Sequence, residues 1–463
     1  MILVLFLGFL LLSMSVALSD WRRGWLMAVL CGVLQDPARK LTPGSPVVIT
    51  LSVVAVYAVC LFAASDSLQY FAREFTRRFS TVYSALIVTM LFLVLAAVRG
   101  LFTFGITGWK APALSLFVYT APIPAVLLGY TYLQREEHLY LFFRFYATIT
   151  ALALIGTPLE YLDLNWRALG TVAFNEYNLR HLPGMQIRML AGFYRGPDIM
   201  AWHAATLTIV GLMMVLRAKV MRSAWPWMLV TAWGFTNCLI SGRRKAVYMV
   251  AIFAIAFFWR FFRRLTSSHV ITFVLALGMI IFVVARIAND EKSSVYARGT
   301  ATSRDEIFQR LEGGLFDTIS QFGILGAGLG TATQGVQHVA SGNSALGWQE
   351  GGLGKLAMEL GVPGLIAAAL LCVAILRTMM AISRHPDVEG SSQMMRCGLF
   401  GIVLANIVEF LVSAQAYSDA VLALMTAFFV GCLFATAVLD ERLKAAAAAS
   451  VAPPAGLAAP ATA

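Results

Sequence analysis

Apolar runs of about twenty residues, broken by short polar turns, fill most of this chain. They fall near 1–19, 46–65, 81–99, 113–132, 139–157, 199–216, 225–241, 246–262, 269–287, 355–377, 396–414 and 419–439. A helix needs ~20 apolar residues to cross a bilayer, so each run reads as a membrane-spanning helix. A shorter run near 24–35 reads as a further span, a re-entrant segment or an interfacial helix. The expected fold is all-α, a polytopic transmembrane helix bundle of about 12–13 helices over residues 1–443. An Ala/Pro-rich tail, 444–463, is expected to be disordered and cytoplasmic.

The polar turns also orient the bundle. Arg73, Arg77 and Arg78, then Arg217, Lys219 and Arg222, then Arg260, Arg263 and Arg264, then Arg377 and Arg384, and finally Arg442 and Lys444 form basic clusters at alternate ends of the runs. Positive clusters mark the cytoplasmic side. The connections 100–112, 158–198, 241–245, 288–354 and 415–419 then share the opposite side, periplasmic if the membrane is a bacterial inner membrane. The two long loops, 158–198 and 288–354, are therefore expected on one face with the short turn Ser241-Gly242-Arg243-Arg244-Lys245.

Composition narrows the class further. Of 463 residues, 59% are hydrophobic and 13% charged, with mean hydropathy +0.76, which excludes a soluble globular chain. The net charge of +11 sits in turns beside helices, so its expected partner is the lipid bilayer and not nucleic acid. The six cysteines lie in or beside apolar runs without metal-ligand spacing, so neither a disulfide framework nor a metal site is expected. The first run lacks a preceding basic region and reads as a retained helix. No internal repeat is evident, which counts against transporters built from inverted halves.

The least apolar stretch carries the candidate chemistry. Between Arg286 and Lys355 lie Arg298, Arg304 and Arg310, then GILGAGLGTATQG and WQEGGLGKLAMELGVPGL. Guanidinium groups bind phosphate through paired hydrogen bonds, so this pattern points to phosphate or diphosphate. The glycine run lacks the Lys-Ser/Thr ending of a nucleotide-binding loop and is expected to form tight turns. Arg243, Arg244 and Lys245 place three cations on the outer side, against the charge rule, as a candidate anion site. Loop 158–198 mixes Arg167, Arg180, Arg188 and Arg195 with Trp166, Tyr177, Phe193 and Tyr194, and Trp202 follows it. Aromatic faces of this kind stack on sugars, or form an ordinary interfacial belt. Glu350 and Glu359 flank Lys355 at a helix start, as a functional pair or as dipole compensation. His338 is the only imidazole in its loop, and His203 reads as a core histidine. Glu409, with Asn406, is an ionisable residue inside an apolar run, either a functional group or a helix-packing one.

The order of SGRRKA, an arginine-bearing outer loop two helices later, GAGLGTATQG and ELGVPGL resembles the O-antigen ligase and polysaccharide polymerase superfamily of bacterial membrane glycosyltransferases. The resemblance spans about Trp166 to Leu365. It implies transfer of a glycan from undecaprenyl diphosphate to a sugar hydroxyl of an acceptor glycan, with no metal, cofactor or nucleotide sugar, alongside other polysaccharide-assembly proteins. It further implies that Arg243 or Arg244, with Arg298, Arg304 or Arg310, holds the diphosphate. The chain departs from the family in having Glu350 where a ligase has histidine, about nine residues before the glutamate of the ELG element. Glu350 or His338 is then the expected general base, and the departure favours a polymerase over a ligase acting on lipid A core. A transporter or flippase of lipid-linked or anionic solutes is the competing class, and Glu409 is its best residue.

Overall fold

The computed structural model describes residues 1–172, 179–182, 185–218, 220–261, 267–289, 293–299, 314–334, 336, 347, 349–384, 390–439 and 441. The helices are α1 (Ile2–Ser19), α2 (Trp21–Leu41), α3 (Ser52–Ala63), α4 (Ser65–Arg78), α5 (Ser80–Phe104), α6 (Lys110–Thr120), α7 (Pro122–Tyr132), α8 (Glu136–Ala153) and α9 (Gly156–Tyr161). After a hairpin of β1 (Leu179–Leu182) and β2 (Met185–Arg188) come α10 (Pro197–Arg217), α11 (Met221–Ile240), α12 (Arg244–Phe261), α13 (Ser267–Asn289) and α14 (Ser294–Gly299). The chain closes with α15 (Gly352–Arg384), α16 (Gly390–Val412) and α17 (Ala420–Ala435). Residues 314–322 are also helical.

Every one of the twelve apolar runs is helical, and the ambiguous run near 24–35 lies inside α2. Among the described residues, seven helices are long and apolar enough to cross a membrane, or eight if the bent pair 47–63 and 65–78 counts as one. The chain is a multi-pass membrane protein. The strict count is lower than the number of apolar runs because several helices are short or interrupted. The apolar part of α13 and the whole of α17 are too short to qualify, and α17 has only 16 residues. At α4 the chain turns by 79° and becomes amphipathic, so its second half does not continue the span.

Helix association here relies on close backbone approach, since lipid offers no hydrophobic drive to bring apolar helices together. A Cβ on Gly431 would stand 1.9 Å from the Val126 carbonyl, and one on Gly129 would stand 2.1 Å from the Phe428 carbonyl. Helices α7 and α17 therefore meet along a seam that admits only glycine. The helix α10 is buried along its whole length and forms the axis around which the others pack. Its first turn, carrying Asp198, opens at the site described below.

The ends of the bundle separate as the charge pattern predicts. At one end Arg78 pairs with Glu441, Arg260 donates to Ser383 and Met380, and Arg217 covers the Tyr140 ring at 3.6 Å. At the other, the described parts of the connections 100–112, 158–198, 241–245, 288–354 and 415–419 touch their neighbours. Arg99, at their edge, donates to the Gly326 carbonyl at 2.7 Å, and Thr103 donates to that of Ala327 at 2.6 Å.

Candidate functional site

The short connector between α16 and α17, residues 413–419, gathers the other outer segments. The Ala414 amide donates to the Glu350 carbonyl at 2.9 Å, and Ser413 Oγ accepts from Lys245 Nζ at 3.1 Å. Ser418 Oγ accepts from Lys355 Nζ at 3.3 Å, and Asp419 pairs with Arg195 at 2.5 Å. The SGRRK turn and the Glu350 segment, 105 residues apart (350 − 245), thus touch adjacent residues of one turn.

Three acid–base clusters brace this end. Asp198, in the first turn of α10, takes Arg243 at 2.7 Å and Lys245 at 2.5 Å. Arg195 lies between Asp36 of α2, at 3.4 Å, and Asp419. Burial works against the Arg195 charge, but Asp419 and Asp36 outweigh it and hold the pKa above its ordinary value. Glu160 receives the amides of Ala191 and Gly192 at 2.9 and 2.7 Å, and Lys40 donates to the carbonyls of Gly192 and Tyr194 at 2.9 and 2.5 Å. Burial pushes the Lys40 ammonium down to about 8, against the pull of Asp36 and Glu160. The last part of loop 158–198 is therefore clamped from both sides.

Glu359 anchors the glycine-rich stretch. Its carboxylate is fully buried and accepts from the amides of Gly330 and Ala332, from Thr333 and Ser115, and from the Tyr119 hydroxyl at 2.6 Å. Five neutral donors satisfy a buried carboxylate without a counterion. The stretch reaches it because Gly326, Gly328 and Gly330 all have positive φ (67°, 96° and 94°), and a Cβ on Gly328 would meet the Gly100 amide at 2.4 Å. The expected tight turns are present. Two residues beyond Glu359 the axis of α15 breaks at Gly361, where φ is 70°.

Beside the connector lies a cavity of about 790 Å³. One side is apolar, with Val47, Val48, Leu51 and Val54 facing Leu114, Phe117 and Pro122. Val48 is 69% exposed, so this side reaches the protein surface. The other side is polar, with Arg39, Arg195, Gln334, Gln415, Ser418 and Asp419. Tyr417 is also in the wall, and its hydroxyl lies 2.9 Å from Asn406 Oδ1 and 3.4 Å from Glu409 Oε2. Trp202 and Thr426 donate to the same Asn406 oxygen. Glu409 is 3% exposed, and its Oε1 has no hydrogen-bond partner among the described residues.

The expected site residues divide into three groups. Glu350, Arg243 and Arg195 come together around the connector, and Arg244 begins α12 beside them. Arg188 sits apart on β2, exposed, paired with Asp163 at 2.9 Å and Glu160 at 3.7 Å. His338, Arg304 and Arg310 lie outside the described residues, as does the tail 444–463, and of Arg298 only the backbone, within α14, is described. Two expectations change. Tyr194 and Trp202 are buried, with Tyr194 stacked on His203 at 4.7 Å, so they are core aromatics and not sugar platforms. Arg243 and Arg195 already hold carboxylates, so a phosphate would have to compete for them. His203 is a core residue, bonded to Tyr146 at 2.9 Å. Sequence reasoning missed Asp36, Asp198, Asp419, Ser413 and Ser418. The one available signal was the presence of acids at the outer ends of apolar runs. No protein-family model matches the chain, and no curated protein is significantly similar to it.

Proposed function

We propose that the protein is an inner-membrane glycosyltransferase of cell-surface polysaccharide assembly, with its working face toward the periplasm. It moves a glycan from undecaprenyl diphosphate to a sugar hydroxyl of an acceptor glycan, as a polymerase does. The observation that carries this reading is the amphipathic cavity, apolar along Val47, Val48, Leu51 and Val54 and polar at the 415–419 connector. A polyprenyl chain suits the first side and a charged, hydroxyl-rich head the second.

In the reaction, the acceptor hydroxyl oxygen attacks the anomeric carbon while the carbon–oxygen bond to the diphosphate breaks. The hydroxyl proton passes to a base, and the lipid diphosphate leaves with the bonding electrons. Glu350, whose backbone carbonyl accepts from the Ala414 amide next to Gln415 of the cavity wall, is the assigned base, and nearby cations neutralise the charge that grows on the leaving group.

A second reading, transport of a lipid-linked or anionic solute, draws on buried Glu409 and its contact with Tyr417 of the cavity wall. Reconstitution with undecaprenyl-diphosphate oligosaccharide separates the two. Transfer releases undecaprenyl diphosphate and lengthens or relocates the glycan, whereas transport moves intact lipid between leaflets. With a glycosyltransferase, Glu350→Gln lowers turnover by roughly 10²–10⁴-fold and leaves donor binding in place. Intact donor recovered from every acceptor mixture overturns the reading.

A further inference from the structure

Lys355 stands in the first turn of α15, 4% exposed. An ammonium carries three donors, and burying one is costly unless it is paired. Here the Ser418 hydroxyl, at 3.3 Å, is its only hydrogen-bond partner among the described residues, and the Tyr119 ring centroid lies 5.6 Å away. Glu359, one turn further on, favours the charge electrostatically, but its carboxylate accepts its hydrogen bonds from Gly330, Ala332, Thr333, Ser115 and Tyr119. Among the described residues, a buried cation therefore has one hydrogen-bond partner for its three donors.

The position of this cation gives it a use. Ser418 belongs to the polar side of the cavity, and Phe117 and Val118 of the wall immediately precede Tyr119. Lys355 is not itself in the lining; it is tied to the cavity through the Ser418 hydroxyl. Arg195, which does line the cavity, is held between Asp36 and Asp419.

We propose that Lys355, acting with Ser418, forms an anion subsite at the polar end of the cavity and that it takes a phosphate or diphosphate group. The apolar side of the cavity suits an anion carried on an apolar chain. This deepens the glycosyltransferase reading and rests on it only for the identity of that chain. The anionic oxygens supply the acceptors that the ammonium lacks, and the Ser418 hydroxyl turns to donate to the same group.

The test uses the full chain in phosphatidylcholine nanodiscs, with farnesyl diphosphate, inorganic pyrophosphate and phosphatidylglycerol as probes. Binding is read by equilibrium dialysis and by the thermal midpoint. Farnesyl diphosphate is expected to bind the wild type and raise its midpoint. Lys355→Gln weakens that binding by ~10–100-fold, the scale of a hydrogen bond to a charged group. Lys355→Met keeps the length of the side chain and removes its charge. Replacing an unanswered buried charge by an apolar group is neutral or stabilising, so the probe-free midpoint of this variant equals or exceeds that of the wild type. Its response to farnesyl diphosphate disappears. Binding by either variant within twofold of wild type overturns the proposal, as does a Met variant that is destabilised without probe, since Lys355 is then structural. Failure of the wild type to bind any of the three probes also overturns it. A Lys355-dependent response to phosphatidylglycerol alone keeps the anion subsite, makes its ligand a bilayer headgroup and removes support from the glycosyltransferase reading.

Discussion

Two cations at the same end of the bundle, Arg195 partly buried and Lys355 buried, are treated in opposite ways. Arg195 has a carboxylate on each side, supplied by helices distant in sequence, and acts as a fastener between loop 158–198, α2 and the 413–419 connector. Lys355 has a serine hydroxyl and the face of a tyrosine. The first arrangement closes on itself; in the second, one hydroxyl is the hydrogen-bond partner among the described residues. A buried charge is therefore informative about binding only after its counterions have been sought in the fold.

The largest effect should come from breaking the closed arrangement. Asp419→Asn leaves Arg195 with Asp36 alone and should cost about 3–5 kcal/mol of stability, the usual scale for removing one partner of a buried pair. The thermal or denaturant midpoint in detergent measures this, and a loss below about 1 kcal/mol would mean that Arg195 is no more fastened than Lys355. Glu359→Gln is next. It turns charged hydrogen bonds into neutral ones and sets an amide N–H against donors, for a loss of about 1.5–3 kcal/mol. Hydrogen exchange at the Gly330 and Ala332 amides should quicken in that variant, and unchanged protection would show that the glycine stretch is held by its own turns.

A pH test sharpens the comparison from another direction. The folded-state pKa of Lys40, about 8, lies below its ordinary value of 10.5. Below pH 8 the ammonium is charged in both states, and its burial works against folding. Between about 8 and 10.5 the unfolded chain holds more protons, so stability rises with pH across that window. The midpoint of wild type minus that of Lys40→Met should climb between pH 7.5 and 10, and a flat difference would show that Lys40 is solvated. The smallest effect belongs to Arg188, whose side chain is 48% exposed beside Asp163. Arg188→Ala should cost less than about 1 kcal/mol, as exposed pairs do, and a larger loss would make the β-hairpin a structural element in its own right.

The sequence made the bundle legible because its signals are local: an apolar run specifies a helix, and basic residues beside the run specify its end. The braces were not legible. Asp36 meets Arg195 across 159 positions, and Lys355 meets Ser418 across 63. No periodicity links such partners, so the sequence displayed the arginines without the acids that occupy them. Glu359 was misweighted for a related reason. Its partners are backbone amides of a glycine run, and residue types do not reveal where an amide points.

The 413–419 connector has a mechanical consequence. Ser413, Ala414, Ser418 and Asp419 are fastened to three segments, at Lys245, at Glu350 and Lys355, and at Arg195, so the turn has almost no slack. One inserted residue lengthens such a path by ~3.3–3.8 Å, more than a hydrogen bond tolerates. Its length is thus under tighter constraint than its composition. A displacement applied at Glu350 reaches Lys245 through two neighbouring residues, so the outer loops move as one lever.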